Sequence, residues 1–208
     1  MKVTKYLHSC LLVEDQNTTI LLDPGNYTYQ EKVFPYNQIA KIDYIAITHE
    51  HRDHMDIEFL KELLTHYPHA QIIGNESINT TLIKENMLVQ TVGNNFINLI
   101  PLHHEKVLNF PLPINCGITL FNELLHPGDS LQFLRSPRVL ALPIVAPWGS
   151  LVKAAEQALL VEPKVVIPIH DWHLKDEARH AFYQWLVTYF MQHNITFLQP
   201  ETGQTFEV

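Results

Sequence analysis

The residues best equipped for chemistry stand in one six-residue run, His49-Glu50-His51-Arg52-Asp53-His54. Neutral imidazoles and a carboxylate at this spacing suit an intermediate divalent metal held with little thiolate. The run follows the apolar segment Ile42-Asp43-Tyr44-Ile45-Ala46-Ile47, so it is expected on a loop at the carboxyl end of a strand. A loop can wrap ligands around an ion in a way that an ideal helix or strand cannot. The ordinary alternative is an exposed polar loop with one histidine capping a helix. That alternative does not account for the recurrence of His and Asp after other apolar segments, at His103-His104, at Asp129 after Pro127-Gly128, and at His170 after Val165-Val166-Ile167-Pro168-Ile169.

These positions form two coherent ligand sets. One imidazole of the adjacent pair, His104 ahead of His103, would complete three-His coordination with His49 and His51. Gly128 permits a sharp turn that can aim the Asp129 carboxylate between two ions, with Asp53, His54 and His170 on the second. Taken singly, Asp129 also reads as a turn residue and His170 as a buried hydrogen-bonding group. Asp23, in the turn Asp23-Pro24-Gly25, is expected to orient a ligand histidine without binding metal itself. His8, His126 and Asp171 are further orienting candidates with an equally good structural reading. His103, Trp148, Trp172 and His173 are expected near the pocket, although packing is the commoner use of both tryptophans.

Strands must deliver these groups. Leu7 to Val13 and Thr19 to Leu22 read as strands around the turn Glu14-Asp15-Gln16-Asn17, and Ile42 to Ile47 as the next. Asp56 can cap a helix from Ile57, followed by a strand from Gln71 to Gly74 and a helix from Ser77 to Glu85. Leu88 to Val92 and Phe96 to Ile100 are extended, and His103 to Pro113 reads as a packed loop. A hairpin around Asn122 joins Gly117–Phe121 to Glu123–Leu125. Val139 to Pro143 and Val165 to Ile169 are strands, alternating with helices over Leu151–Val161 and Asp176–Met191. In the last helix Phe182, Trp185, Leu186, Tyr189 and Phe190 make a broad apolar stripe expected in the core. Ile195–Leu198 and Gln204–Val208 finish a sheet edge. Early strands without helices and later strands alternating with them predict sheets packed in the core with helices outside.

The chain has 208 residues with 46% apolar content, which suits one domain spanning 1–208 with a sizeable core. Acidic residues outnumber basic by 22 to 14, which argues against long nucleic acid as a partner. No segment has the length and apolarity of a membrane span, and Met1-Lys2-Val3-Thr4-Lys5-Tyr6 does not read as a secretory leader. Cys10 and Cys116 allow at most one disulfide. A cytoplasmic protein with reduced thiols is the expectation. The aromatic loop from Tyr27 to Tyr36 offers either a contact in a homo-oligomer or a cover over the site.

His49-x-His51-x-Asp53-His54, with Leu22-Asp23-Pro24-Gly25, His104, Gly128-Asp129 and Ile169-His170, resembles the metallo-β-lactamase-fold superfamily of metallohydrolases over most of the chain. Leu142-Pro143-Ile144 and Pro168-Ile169-His170 look most similar to its UlaG-like, or L-ascorbate-6-phosphate-lactonase-like, branch. The resemblance implies an α+β fold, a four-layer αββα sandwich with a dinuclear site at one edge of the sheets. It implies His49, His51 and His104 on the first ion, Asp53, His54 and His170 on the second, and Asp129 on both. Two divalent ions, zinc ahead of manganese or iron, would then activate water against a small ester, lactone or phosphodiester metabolite, with Asp53 and Asp129 as the catalytic carboxylates. A small-nucleotide phosphodiesterase, a non-catalytic metal-binding sensor and a di-iron redox site served by an external partner are the alternatives.

Overall fold

A computed structural model describes residues 1–208. One sheet holds β1 (Lys2–Lys5), β2 (Leu11–Asp15), β3 (Thr18–Leu22), β4 (Tyr44–Ala46), β5 (Gln71–Ile73), β6 (Val89–Gln90) and, from the end of the chain, β13 (Gln204–Glu207). Its order is β13-β1-β2-β3-β4-β5-β6, antiparallel from β13 to β3 and parallel from β3 to β6. The second holds β7 (Ile97–Pro101), β8 (Cys116–Leu120), β9 (Leu124–His126), β10 (Val139–Pro143), β11 (Val165–Ile169) and β12 (Thr196–Phe197). Its order is β12-β11-β10-β9-β8-β7, parallel from β12 to β9 and antiparallel beyond. The helices are α1 (Asn26–Gln30), α2 (Ile57–His66), α3 (Glu76–Leu82), α4 (Leu151–Val161) and α5 (Asp176–Met191).

Strand alternation makes the layers. Leu11, Val13, Ile20, Leu22, Ala46 and Ile73 of the first sheet share one buried cluster with Ile118, Leu120, Leu124, Val139, Ala141, Ile167 and Ile169 of the second. The intervening residues Leu12, Leu21, Ile45 and Ile72 face the other way and pack on Phe59, Leu60 and Leu63 of α2 and Ile78 and Leu82 of α3. On the far side Leu125, Leu140, Leu142 and Val166 pack on Ala154, Ala155 and Ala158 of α4 and Tyr183, Leu186 and Phe190 of α5. Both faces of each central strand are therefore buried, and the result is the αββα sandwich.

Three helices begin on side-chain caps. Asp56 accepts from the Phe59 N–H at 3.0 Å, Asn75 from Ser77 and Ile78, and Ser150 from Lys153. The helices over Leu151–Val161 and Asp176–Met191 and the strands over Val139–Pro143 and Val165–Ile169 fall where the pattern puts them. Two expectations are corrected. The expected strand from Leu7 is a turn, since Tyr6 N–H bonds to Cys10 C=O at 2.9 Å, and an unanticipated strand, β1, precedes it. The stripe of α5 is also narrower than expected: Tyr183 is buried, whereas Trp185 is 61% exposed. Both cysteines are free, buried and in different clusters.

A buried charge network ties the first sheet to the second and to α5. Lys5 donates to the Asp171 carboxylate and to the Tyr6 C=O, both at 3.0 Å, and the Tyr183 hydroxyl donates to the other Asp171 oxygen. Burial alone would raise the Asp171 carboxyl, but the Lys5 ammonium and the Tyr183 hydroxyl hold it below the ordinary carboxylate range. A depressed carboxyl stabilises the fold above its unfolded pKa, about 4, and that contribution is lost as pH falls through the lower folded value. Asp171→Asn also leaves Lys5 without its counter-charge, so urea unfolding at pH 7 should show a loss of about 3 kcal/mol or more. The variant should lose less stability than the native chain as pH is lowered below about 4. Parallel curves would exclude this role for Asp171.

Candidate metal centre

The functional residues gather where the strands end. Asp23 follows β3, Thr48 and His49 follow β4, His104 follows β7, Asp129 follows β9, Trp148 follows β10 and His170 follows β11. Two groups form along this edge. His49, His51, His104 and Asp129 bring ligand atoms within 4.8 Å of one another, and so do His8, Asp53, His54 and His170.

The hydrogen bonds behind each imidazole decide which nitrogen faces the centre. His54 Nδ1 donates to Asp23 Oδ2 at 2.6 Å. Asp23 also takes the Thr48 N–H at 2.8 Å and the Thr48 hydroxyl at 2.7 Å. With its proton so used, Thr48 Oγ1 accepts from His49 Nδ1 at 3.0 Å. His104 Nδ1 donates to the Glu105 C=O and His170 Nδ1 to the Val145 C=O, at 2.6 and 2.8 Å. All four rings therefore turn Nε2 inward, the arrangement that outer hydrogen bonds impose on ligand histidines. Asp23 takes the orienting place expected of it, with no exposure at all.

Asp129 lies between the groups. Its Oδ1 is 3.0 Å from His54 Nε2 and 3.3 Å from His170 Nε2, while Oδ2 is 3.3 Å from His104 Nε2 and 3.9 Å from His49 Nε2. Despite these separations, His49 Nε2, His54 Nε2, His170 Nε2 and Asp129 Oδ1 make no hydrogen bond, and all are buried. Buried polar atoms without partners are rare and call for an explanation. Four of them around one point, two groups thick, fit a pair of cations.

The electrostatics agree. Burial would favour neutral imidazole at His54 and His170, yet Asp129, joined at His54 by Asp23, raises both above the ordinary histidine range. His49, equally buried and with the His54 ring beside it, falls well below that range. Burial would raise the Asp129 carboxyl, but the surrounding imidazoles hold it low. The carboxylates thus draw positive charge into the site, as protons when no cation is there.

His8 is the member that sequence reasoning undervalued. Reading Leu7–Val13 as a strand hid it, whereas it sits on a turn with φ 57°, fully buried, its ring centroid 4.0 Å from that of His170. Burial and the neighbouring His170 push its pKa down to about 3, so the neutral ring offers Nε2–H to Asp53 Oδ2 at 3.2 Å. Of the adjacent pair, His104 is buried in the first group and His103 is exposed. Arg52 turns away and pairs with Asp56, the α2 cap. Trp172 stacks on Tyr27 with centroids 3.9 Å apart, and the Tyr27 hydroxyl meets His173 Nε2 at 3.2 Å. His126 is held by the Ser9 C=O at 3.0 Å, beside the centre rather than in it. A cleft of about 470 Å³ lies beside His104, the one member of the first group in its lining, with His103, Leu99, Leu102, Pro113 and Ile114 among its other walls.

Residues 2–170 match a family model described as the beta-lactamase superfamily domain. Protein Rv0786c of Mycobacterium tuberculosis is 29% identical, over 99% of this chain and 100% of its own length. A UPF0173 metal-dependent hydrolase of Staphylothermus marinus is 30% identical, over 82% of this chain and 83% of its own. Igni18, a metallo hydrolase of the archaeon Ignicoccus hospitalis, shares the fold with TM-score 0.72 at 24% identity, covering 100% of this chain and 98% of that one.

The loop carrying Asp53 and His54 rests directly on Gly25. A Cβ there would collide with the Asp53 carbonyl, whereas one on Gly149 would meet only Leu131, at 3.6 Å. Gly25→Ala should cost roughly 2 kcal/mol or more in unfolding free energy and lower bound metal per chain, while Gly149→Ala stays within about 0.5 kcal/mol. Equal metal content in the two variants would show that this contact does not hold the site.

Proposed function

The chain belongs to the metallo-β-lactamase superfamily, as a metal-dependent hydrolase, and we propose that it holds two divalent ions, zinc first, to hydrolyse a small carboxylic ester or lactone. One observation carries this reading: the Asp129 carboxylate, 3% exposed, turns Oδ1 toward His54 and Oδ2 toward His104, one in each group, while the buried Nε2 atoms of His49, His54 and His170 have no hydrogen-bond partner. His49, His51 and His104 would hold the first ion, His54, His170 and Asp53 the second, and Asp129 both. Bound divalent ions supply acidification of water near neutral pH and polarisation of a substrate carbonyl.

The side chains divide the remaining work. Asp23, Thr48, Glu105 and Val145 fix the rings before any ligand arrives. Asp53 is the catalytic carboxylate with access to water, since its side chain is 24% exposed against 4% for Asp129. With Oδ2 engaged by His8, its other oxygen is placed to hold the proton lost by the attacking water and return it to the leaving group. Asp129, the second catalytic carboxylate, keeps the two halves in register.

The cleft beside His104 supports an uncharged, partly apolar substrate. Its lining includes Leu99, Ile100, Leu102 and Ile114 and no lysine or arginine, and Glu76 is its one acidic residue. That surface suits an ester or lactone better than a phosphodiester, whose charge would be unmatched outside the metal centre. Leu142-Pro143-Ile144 and Pro168-Ile169-His170 support placement near the UlaG-like branch. Pairing of β13 with β1 supports reading 1–208 as one domain.

Element-resolved metal analysis of natively purified protein should give about two ions per chain. Stripping them with a chelator should abolish turnover of a lactone and ester panel and zinc should restore it, with a phosphodiester panel turned over at least tenfold more slowly. His51→Ala should lose metal and activity together. Absence of specific metal in the native protein would sink the proposal; metal-dependent turnover confined to phosphodiesters would replace its substrate class.

A further inference from the structure

Trp148 is the tryptophan nearest the centre, and its indole Nε1–H donates to Asp129 Oδ2 at 3.2 Å. This is the one hydrogen bond with closed geometry that the Asp129 side chain receives, since Oδ1 has none and the imidazoles around it stand at ion-pair rather than hydrogen-bond geometry. The ring is partly buried, 5.5 Å from the His170 ring and 6.4 Å from that of His104 by centroids, so it stands beside one histidine of each group. It reaches that place from the segment after β10, where Ala146 and Gly149 pair in an isolated bridge and close a tight turn around Pro147 and Trp148.

A carboxylate that must serve two ions has one weak point, rotation about its Cβ–Cγ bond. A rotated carboxylate offers both oxygens to one group and none to the other. The backbone fixes the root of Asp129, because its N–H bonds to Asn115 Oδ1 at 3.2 Å, but that bond does not set the plane of the carboxylate. An N–H fixed on Oδ2 does. An indole is suited to this task, being a donor only and therefore unable to compete as a ligand.

We infer that Trp148 is a positioning residue which locks Asp129 Oδ2 toward the His49–His51–His104 group and so makes retention of the first ion depend on an indole N–H. The inference rests on the dinuclear reading above. It assigns Trp148 neither to simple packing nor to substrate contact. Outer partners of metal ligands typically change affinity by about 10- to 100-fold when removed.

Trp148→Phe keeps an aromatic ring and deletes the donor. Metal release from zinc-loaded protein would be followed by competition with a chromogenic chelator, which resolves the two ions by stoichiometry. The expected result is that Trp148→Phe yields one of its two ions at a chelator concentration at least tenfold lower than the native chain, with the other ion unchanged. Unfolding midpoints of the metal-free forms separate this from a folding defect. A second measurement leaves Trp148 intact: in a Trp172→Phe/Trp185→Phe chain, cobalt(II) should quench the remaining fluorescence in step with filling of the site. Identical release curves for native and Trp148→Phe protein would overturn the inference, as would equal weakening of both ions. Failure of the native chain to bind two ions would instead overturn the dinuclear reading and this inference with it.

Discussion

Each of the imidazoles His49, His54, His104 and His170 commits its Nδ1–H to an acceptor outside the centre, and the rest of the site follows from that constraint. A histidine with both nitrogens free can flip, tautomerise or turn out to water. Once Nδ1 is held, Nε2 has one direction, and four such directions meet around Asp129. Two of the four acceptors are main-chain carbonyls, of Glu105 and Val145, so the strand ends themselves set the ring planes. The other two belong to one unit: Asp23 takes His54 directly and, through the Thr48 hydroxyl, fixes His49. A single buried carboxylate thereby aligns one histidine in each metal group.

The backbone bears a strain for this geometry. His8, Asp23 and His170 all have positive φ, 57°, 44° and 63°, and Gly128 has 60°. Left-handed conformations cost non-glycine residues about 1 kcal/mol each. Three of them among the residues that build one centre indicate turns made for the side chains they aim. Where a side chain is not needed, glycine takes the position: Gly128 reverses the chain just before Asp129, in a space already filled by Asn115 and Thr48. Strands buried on both faces by three apolar clusters provide the rigidity against which such strain persists.

This division explains what could be read from the sequence. The cluster at 49–54 and the strand-terminal Asp129 and His170 were legible because a polar ligand type directly followed an apolar run with strand periodicity. The four-layer arrangement was legible from the change between strands in succession and strands alternating with helices. His8 was legible only as one orienting candidate among three, because Leu7 to Val13 looks continuous as a strand and only a turn from Leu7 to Cys10 brings the ring to the site. The choice between His103 and His104 also lay beyond periodicity, since it turns on which of two adjacent side chains the loop after β7 points inward. For Trp185 and Tyr183 the helix period was right but its phase was not: the buried face of α5 runs through Tyr183, Leu186 and Phe190, and Tyr183 is held there by Asp171.

Charge accounts for the different positions of the three site carboxylates. Asp23 has no exposure and works through hydrogen bonds to Thr48 and His54. Asp129 is nearly as buried but keeps its oxygens toward imidazole nitrogens, so it can exist as an anion only beside positive charge, whether protons or cations. Asp53 stands at the edge, with one oxygen on His8 and its side chain partly open to water. Moving outward from Asp23 through Asp129 to Asp53, solvent access rises and structural constraint falls. On the proposed reading, a carboxylate that takes and returns a proton needs access to water, and one set between two metal groups needs the opposite.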